Sequence, residues 1–192
     1  MPPHQLTRQV GHPQRYKQGF TLLEALVVLL LLGILVALAA PAMTDLQARH
    51  RLQAQAGAWL DSLVLARTEA LRRQQRVTLC PRSLHTAGCD TTGPWQNGWL
   101  VFADDNGNAV LDAGEALIES HEPLSGGVWV RVTATAKGYF SYGSEGRSQT
   151  STGAFMAGTW RFCRDTSTVA WQVVVNALGK PRMEPAEALD CP

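Results

Sequence analysis

Apolar and polar positions divide the chain into three regimes. Residues 1–19 are polar and carry Arg8, Arg15 and Lys17 but no acid. From Phe20 to Ala40 the chain is almost continuously apolar, and Glu24 is its single charge. About 20 apolar residues in a helix span the ~30 Å hydrocarbon core, so this run predicts a membrane helix. The basic leader would then stay on the cytoplasmic side, with the bulk of the chain outside. Pro41 would kink or briefly interrupt the helix near the outer boundary. Beyond it, Leu46, Leu52, Ala56, Leu60, Leu63, Val64, Ala70 and Leu71 recur mostly at helical spacing, with Arg49, Arg51, Asp61, Arg67, Glu69, Arg72 and Arg73 on the other faces. The pattern predicts one long helix, from Phe20 to about Gln75, whose second half is the amphipathic spine of an outer domain.

After the helix the pattern changes to short β-branched and aromatic runs separated by Gly, Pro, Asn and Asp. The predicted strands are Val77–Cys80, Gly98–Phe102, Ala116–His121, Val128–Thr133, Tyr139–Tyr142, Thr159–Cys163 and Val169–Asn176. Helix first and strands after implies an α+β layout, antiparallel β packed on one helix. Five of the six tryptophans fall in the strand region, where they are expected to anchor the core.

Charge narrows the partners. Removing the leader leaves 14 bases against 16 acids, a formal charge of −2, which is no nucleic-acid footprint on its own. An anionic partner would need a local patch. The four cysteines, Cys80, Cys89, Cys163 and Cys191, all lie beyond the apolar run. An even count on the periplasmic side favours disulfides, and three connectivities exist. Cys80–Cys89 with Cys163–Cys191 is favoured, since each closes a local loop. Zinc normally needs C-x2-C pairs, and the sequence has none.

The string Gly19-Phe20-Thr21-Leu22-Leu23-Glu24 ahead of the apolar run resembles the class III signal of type IV pilins and type II secretion pseudopilins. The resemblance implies cleavage by a prepilin peptidase after Gly19 and N-methylation of Phe20. It also implies that Glu24 meets the N-terminal amine of a neighbouring subunit during assembly. A carboxylate inside an apolar helix is costly and marks a functional position. The competing reading is a secretory signal cut after Ala37-Leu38-Ala39. The long leader, the full-length run and Glu24 within it argue against that. The expected organisation is therefore a leader at 1–19, a membrane-spanning and filament-core half-helix at 20–46, and a periplasmic globular domain at 47–192. The expected location is the inner membrane, as a single-pass protein, and a filament once assembled.

A second resemblance covers the outer domain. Trp95-Gln96-Asn97-Gly98-Trp99-Leu100-Val101-Phe102 runs into an acidic loop, and Val173-Val174-Val175 leads to Leu178-Gly179-Lys180-Pro181-Arg182. This arrangement is similar to the FimT/GspH family of minor pilins and pseudopilins. The family implies a type IV pilin-like fold and a role in initiating or capping a filament, in partnership with other pilins or pseudopilins. Some members bind double-stranded DNA through a C-terminal G-R-x-R loop. Here Gly179, Lys180 and Arg182 stand at the matching positions, with Pro181 in the variable one. Arg147, Arg161 and Arg164 would widen the patch if they fold nearby. Lysine replaces the first arginine, losing the bidentate fork, and Glu184, Glu187 and Asp190 follow closely. DNA capture and a merely basic turn are both open. The alternative function is a GspH-type secretion pseudopilin without DNA binding.

Two chemistries remain. Asp104, Asn106, Asn108, Val110, Asp112 and Glu115 fall at positions 1, 3, 5, 7, 9 and 12 of an EF-hand-like loop, a spacing of oxygen donors that suits Ca²⁺. Ala109 stands where that loop needs glycine, so a solvated loop whose Asp and Asn side chains cap turns is the favoured alternative. No other cofactor is expected. The five histidines, His4, His12, His50, His85 and His121, are scattered and form no catalytic set with a serine or cysteine. The chain is expected to be a non-enzyme.

Overall fold

The computed structural model describes residues 20–164, 169–176, 178–187 and 191. The leader and Gly19 lie outside the described residues, as does Asp190. The chain divides into two compact units, Met1–Met43 and Thr44–Pro192. Helix α1, Leu22–Arg73, contributes to both.

In the first unit, Thr21 starts the helix. Its Oγ1 accepts from the Glu24 backbone N–H at 3.2 Å, and its carbonyl accepts from Ala25 N at 3.1 Å. Thr21 thus acts as the N-cap, satisfying the N–H of Glu24 at N3. Glu24 lies in the first turn, where a negative side chain also complements the helix dipole. The apolar side chains of this unit face outward; Phe20, Leu22, Leu23 and Leu35 are all exposed. Among the described residues, however, no helix is long and apolar enough to cross a membrane. This overturns the expected membrane-spanning half at 20–46. The inner-membrane, single-pass location goes with it, as does the periplasmic placement that rested on that span.

In the second unit, the rest of α1 buries Leu52, Ala56, Trp59, Leu63, Ala66 and Ala70. Their alternating spacing of four and three puts them in one stripe. The stripe is narrower than the sequence pattern suggested. Leu46, Val64 and Leu71 are exposed, while Trp59 and Ala66 carry the centre. Gln74, in a left-handed conformation at φ 56°, ends the helix, and its Nε2 donates to the Leu71 carbonyl.

Among the described residues, nine strands follow. They are β1 (Val77–Pro81), β2 (Trp99–Ala103), β3 (Leu117–His121), β4 (Trp129–Val132), β5 (Phe140–Tyr142), β6 (Ser148–Gln149), β7 (Gly158–Cys163), β8 (Val169–Val175) and β9 (Pro181–Glu187). They form two sheets, ordered β3-β2-β1-β5-β6 and β4-β7-β8-β9, and every pairing is antiparallel. Seven strands lie where the sequence placed them; β6 and β9 are additions. One core joins the α1 stripe to Val77, Leu79, Trp99 and Val101 of the first sheet and to Trp160, Phe162, Val173 and Val175 of the second. Trp59 is its hub. Its ring lies 4.8 Å from Trp95, 5.0 Å from Trp99 and 4.9 Å from Trp160, in edge-on or tilted geometry. Trp99 Nε1 donates to Ser62 Oγ at 2.8 Å, tying β2 back to the helix.

Candidate functional sites

The acidic loop hangs from the end of β2. Asp104 is buried there, and its Oδ2 accepts from Thr78 Oγ1 at 2.6 Å and from Ala109 N at 3.2 Å. Thr78 Oγ1 also lies 2.7 Å from Ser141 Oγ, so one carboxylate links the loop to β1 and, through Thr78, to β5. Glu115 closes the loop from its other end, accepting from Asp105 N and Asp112 N, each at 2.9 Å. Asp112 Oδ2 accepts from Asn106 Nδ2 at 2.8 Å and Asn108 Nδ2 at 2.7 Å. Asn106 and Asn108 carbonyl oxygens accept from Asn108 N and Val110 N. Ala109 takes φ 64°, the left-handed conformation for which the loop pattern wants glycine. Among the described residues, no group of three or more His, Cys, Asp or Glu side chains is arranged to hold a metal. The side chains that the spacing offered to Ca²⁺ accept from backbone N–H groups of the loop, in Asx-turn fashion, and from the side chains of Thr78, Asn106 and Asn108, while Asp104 Oδ1 is buried with no hydrogen-bond partner among the described residues.

The C-terminal turn joins β8 to β9. Asn176 organises it: its Oδ1 accepts from Leu178 N at 3.1 Å and Lys180 N at 3.0 Å. Gly179 is buried at φ +72°, and a Cβ there would meet Gly146 O at 2.7 Å and Ser148 N at 3.0 Å. Glycine is needed for packing against the β5–β6 turn. Of the five basic residues grouped by sequence, Arg161 and Arg182 meet on one face of the second sheet. Arg161 Nη2 donates to Gln172 Oε1 at 3.0 Å, Gln172 Nε2 donates to Glu184 Oε1 at 2.8 Å, and Arg182 Nε donates to Glu184 Oε2 at 3.0 Å. These four residues form one ladder across β7, β8 and β9. Arg182, aided by Gln172, holds the Glu184 carboxyl below its usual range. Lys180 instead lines a groove with Val64, Arg67, Thr68, Leu71 and Pro181. Arg147, in the turn after β5, shares a different cleft with Leu178 and Phe155. Arg164 follows β7.

The cysteines pair as Cys80–Cys89 and Cys163–Cys191, with Cα separations of 5.6 and 5.9 Å. The first closes a loop beside β1 and covers a small cluster of Leu100 and Phe102 with Leu111. The second fastens the C-terminal end to β7.

A long N-terminal helix carrying two antiparallel sheets, led by an apolar half-helix that begins with Phe20 and Glu24, defines a type IV pilin-like subunit. The solved structures agree at the level of fold. The type IV minor pilin FimU of Pseudomonas aeruginosa PAO1 aligns with a TM-score of 0.52 and 18% identity, over 71% of this chain and 90% of that one. The minor pseudopilin EpsH from the type 2 secretion system of Vibrio cholerae aligns with a TM-score of 0.50 and 11% identity, over 70% and 96%. The chain belongs to the type II transport protein GspH family, whose model matches residues 55–179. Residues 14–40 match the prokaryotic N-terminal methylation motif. The pilin-like protein PilA1 of Thermus thermophilus is 35% identical over 116 residues, 60% of this chain, and the match spans 65% of that relative's length. The protein is therefore a minor pilin or pseudopilin of the FimT/GspH type, a structural subunit and not an enzyme.

Proposed function

We propose that this chain is a GspH-type minor pseudopilin that builds a protein-export filament, joining other pilin-like subunits through the first unit of α1. The observation that carries the reading is the exposed apolar surface of residues 20–38, far larger than a monomer leaves uncovered in water. Helices of neighbouring subunits are the matching cover. Within such a bundle the exposed Glu24 carboxylate needs a cationic partner, and the amine of a processed N-terminus supplies one. The methylation motif is consistent with cleavage by a prepilin peptidase after Gly19 and methylation of Phe20. Cleavage supplies that amine.

The proposal assigns no DNA role to the C-terminal turn. Arg182 and Arg161 are held in the ladder with Gln172 and Glu184, Lys180 faces a groove on α1, and Arg147 stands apart. Phosphate binding requires several cations acting together, which this arrangement disperses. The test is co-assembly. Intact mass should show loss of 19 residues and gain of one methyl, Gly19→Val should leave the precursor uncut, and Glu24→Leu should be processed yet fail to enter filaments. Normal incorporation of Glu24→Leu would reject the assembly role. A low-salt mobility shift that disappears in the Lys180→Ala, Arg182→Ala double variant would restore DNA capture.

A further inference from the structure

The groove that Lys180 lines joins α1 of the second unit to the start of β9. Val64, Thr68 and Leu71 follow one another at spacings of four and three, so they share one stripe of the helix. Val64 and Leu71 are exposed on it. The Thr68 hydroxyl donates to the Val64 carbonyl at 2.8 Å and is thus turned back on the helix. Pro181 adds a further apolar group, and the cleft between these residues holds about 350 Å³. Two cations, Arg67 and Lys180, line it, and among the described residues no carboxylate does. Neither is held in an ion pair among the described residues. Apolar side chains between two cations match an apolar side chain between two carboxylates.

The same chain carries that counterpart elsewhere on its second unit. The acidic loop, residues 104–115, contains Asp104, Asp105, Asp112 and Glu115 and no base. Val110 is exposed in it, between Asp105 and Asp112 in the sequence. Asn106, Asn108 and Glu115 accept from the loop's own N–H groups, and Gln75 Nε2 donates to Asp105 Oδ1 at 2.8 Å. The loop is therefore presented in one shape, which lowers the ordering cost of binding. Arg76 lies against Gly107 and offsets part of the negative charge, but four acids to one base leave an excess.

We propose that the acidic loop of one copy docks into the Arg67–Lys180 groove of a second copy, with Val110 against Val64 and Leu71 and with Asp105 and Asp112 toward the two cations. Apolar contact supplies affinity, and the charges set register and exclude basic partners. Groove and loop share no residue, so the contact is heterologous and can repeat from copy to copy. The inference goes beyond the assembly role, because it involves neither residues 20–38 nor Glu24.

The test is photo-crosslinking of the full-length chain in detergent micelles, which cover the apolar half of α1. Val64 is replaced by the photoreactive residue benzoylphenylalanine. Ordinary and isotope-labelled copies are mixed in equal amounts, so that mass spectrometry tells links between copies from links within one. Illumination should join position 64 of one copy to a peptide within 104–115 of another, with a yield that rises with protein concentration and falls as salt is raised. Lys180→Glu, at an exposed position, should cut that yield about fivefold or more by placing like charges together. Mixing Lys180→Glu copies with Asp105→Lys copies should restore it, which simple damage to either surface would not do. Links confined to one copy, links to another segment, an undiminished yield in Lys180→Glu, or no recovery in the reciprocal mixture each overturns the proposal.

Discussion

Trp59 is the side chain whose loss the fold should feel most. It is 1% exposed on α1 and touches aromatic rings from both sheets. Truncating a buried tryptophan to alanine costs about 3–5 kcal/mol through lost transfer energy and the cavity left behind. Three ring contacts within 5.0 Å place Trp59→Ala at the upper end, about 4–5 kcal/mol. A domain with a total stability of roughly 5–15 kcal/mol would be left marginal. Phenylalanine should behave otherwise. Among the described residues Trp59 Nε1 has no hydrogen-bond partner, so Trp59→Phe deletes a buried unpaired donor while keeping a ring. Relief of that donor's desolvation, about 1–3 kcal/mol, offsets much of the lost volume. We expect a net loss below about 2 kcal/mol. Urea denaturation followed by near-ultraviolet circular dichroism separates the cases, with the midpoint multiplied by a common slope. If alanine and phenylalanine cost the same, or alanine costs under about 1.5 kcal/mol, Trp59 is not the hub the ring geometry describes.

Three further outcomes test other parts of the structure. Hydrogen bonds from Arg72 and then Arg73 lower the Glu69 carboxyl to about 2; a folded-state value below the unfolded one gives stability that is full above about 4.5 and lost as pH falls toward about 2. Glu69→Gln should thus melt lower than wild type at pH 6, with the gap closing as pH falls through about 2, and a gap unchanged between pH 6 and pH 2 would contradict the assignment. Non-reducing peptide mapping should link Cys80 to Cys89 and Cys163 to Cys191; removal of the second bridge should cost about 2–4 kcal/mol, and free thiols or crossed pairs would reject the pairing. Gly179→Ala forces a side chain into φ +72° and against the Gly146 carbonyl, so a loss of roughly 1–3 kcal/mol is expected, and an unchanged melting temperature would refute it.

What the sequence revealed depended on how local the signal was. The helix and seven strands were legible because periodicity and turn residues are local. β9 was missed because Pro181, Pro185, Glu184 and Glu187 read as an acidic tail. An edge strand tolerates proline wherever its N–H would have faced outward, and that depends on register, which emerges only on folding. The division into two sheets was equally hidden, since β4 pairs with β7 across intervening strands of the other sheet. The stripe on α1 was misjudged at Leu46, Val64 and Leu71, where apolar residues remain exposed, and Trp59 was passed over as a hub. The basic residues were numbered close enough to suggest one patch. Lys180 lines a groove with residues of α1, and Arg182 bonds Glu184 on the sheet face, placements that depend on the β8–β9 turn and not on spacing in the sequence. In the oxygen-rich loop, spacing alone did not reveal the hydrogen bonds that its Asp, Asn and Glu side chains make within the loop. Ala109 was the one residue that forewarned of a departure from the ion-binding pattern.

Both disulfides lie at the periphery of a sheet, one beside β1 and one at the end of β7. Neither fastens α1 to the strands. Among the described residues, tension applied to the helix enters the globular part through the short chain segment from Gln74 to β1, through the buried stripe of α1 centred on Trp59, and through the Ser62–Trp99 and Gln55–Ser125 hydrogen bonds. Oxidation guards the margins against unravelling, but the seam yields or holds by packing and hydrogen bonds, without a covalent link. In a subunit drawn by its helix, rupture force should be the same with the thiols reduced or joined, and should fall when Trp59 is cut back.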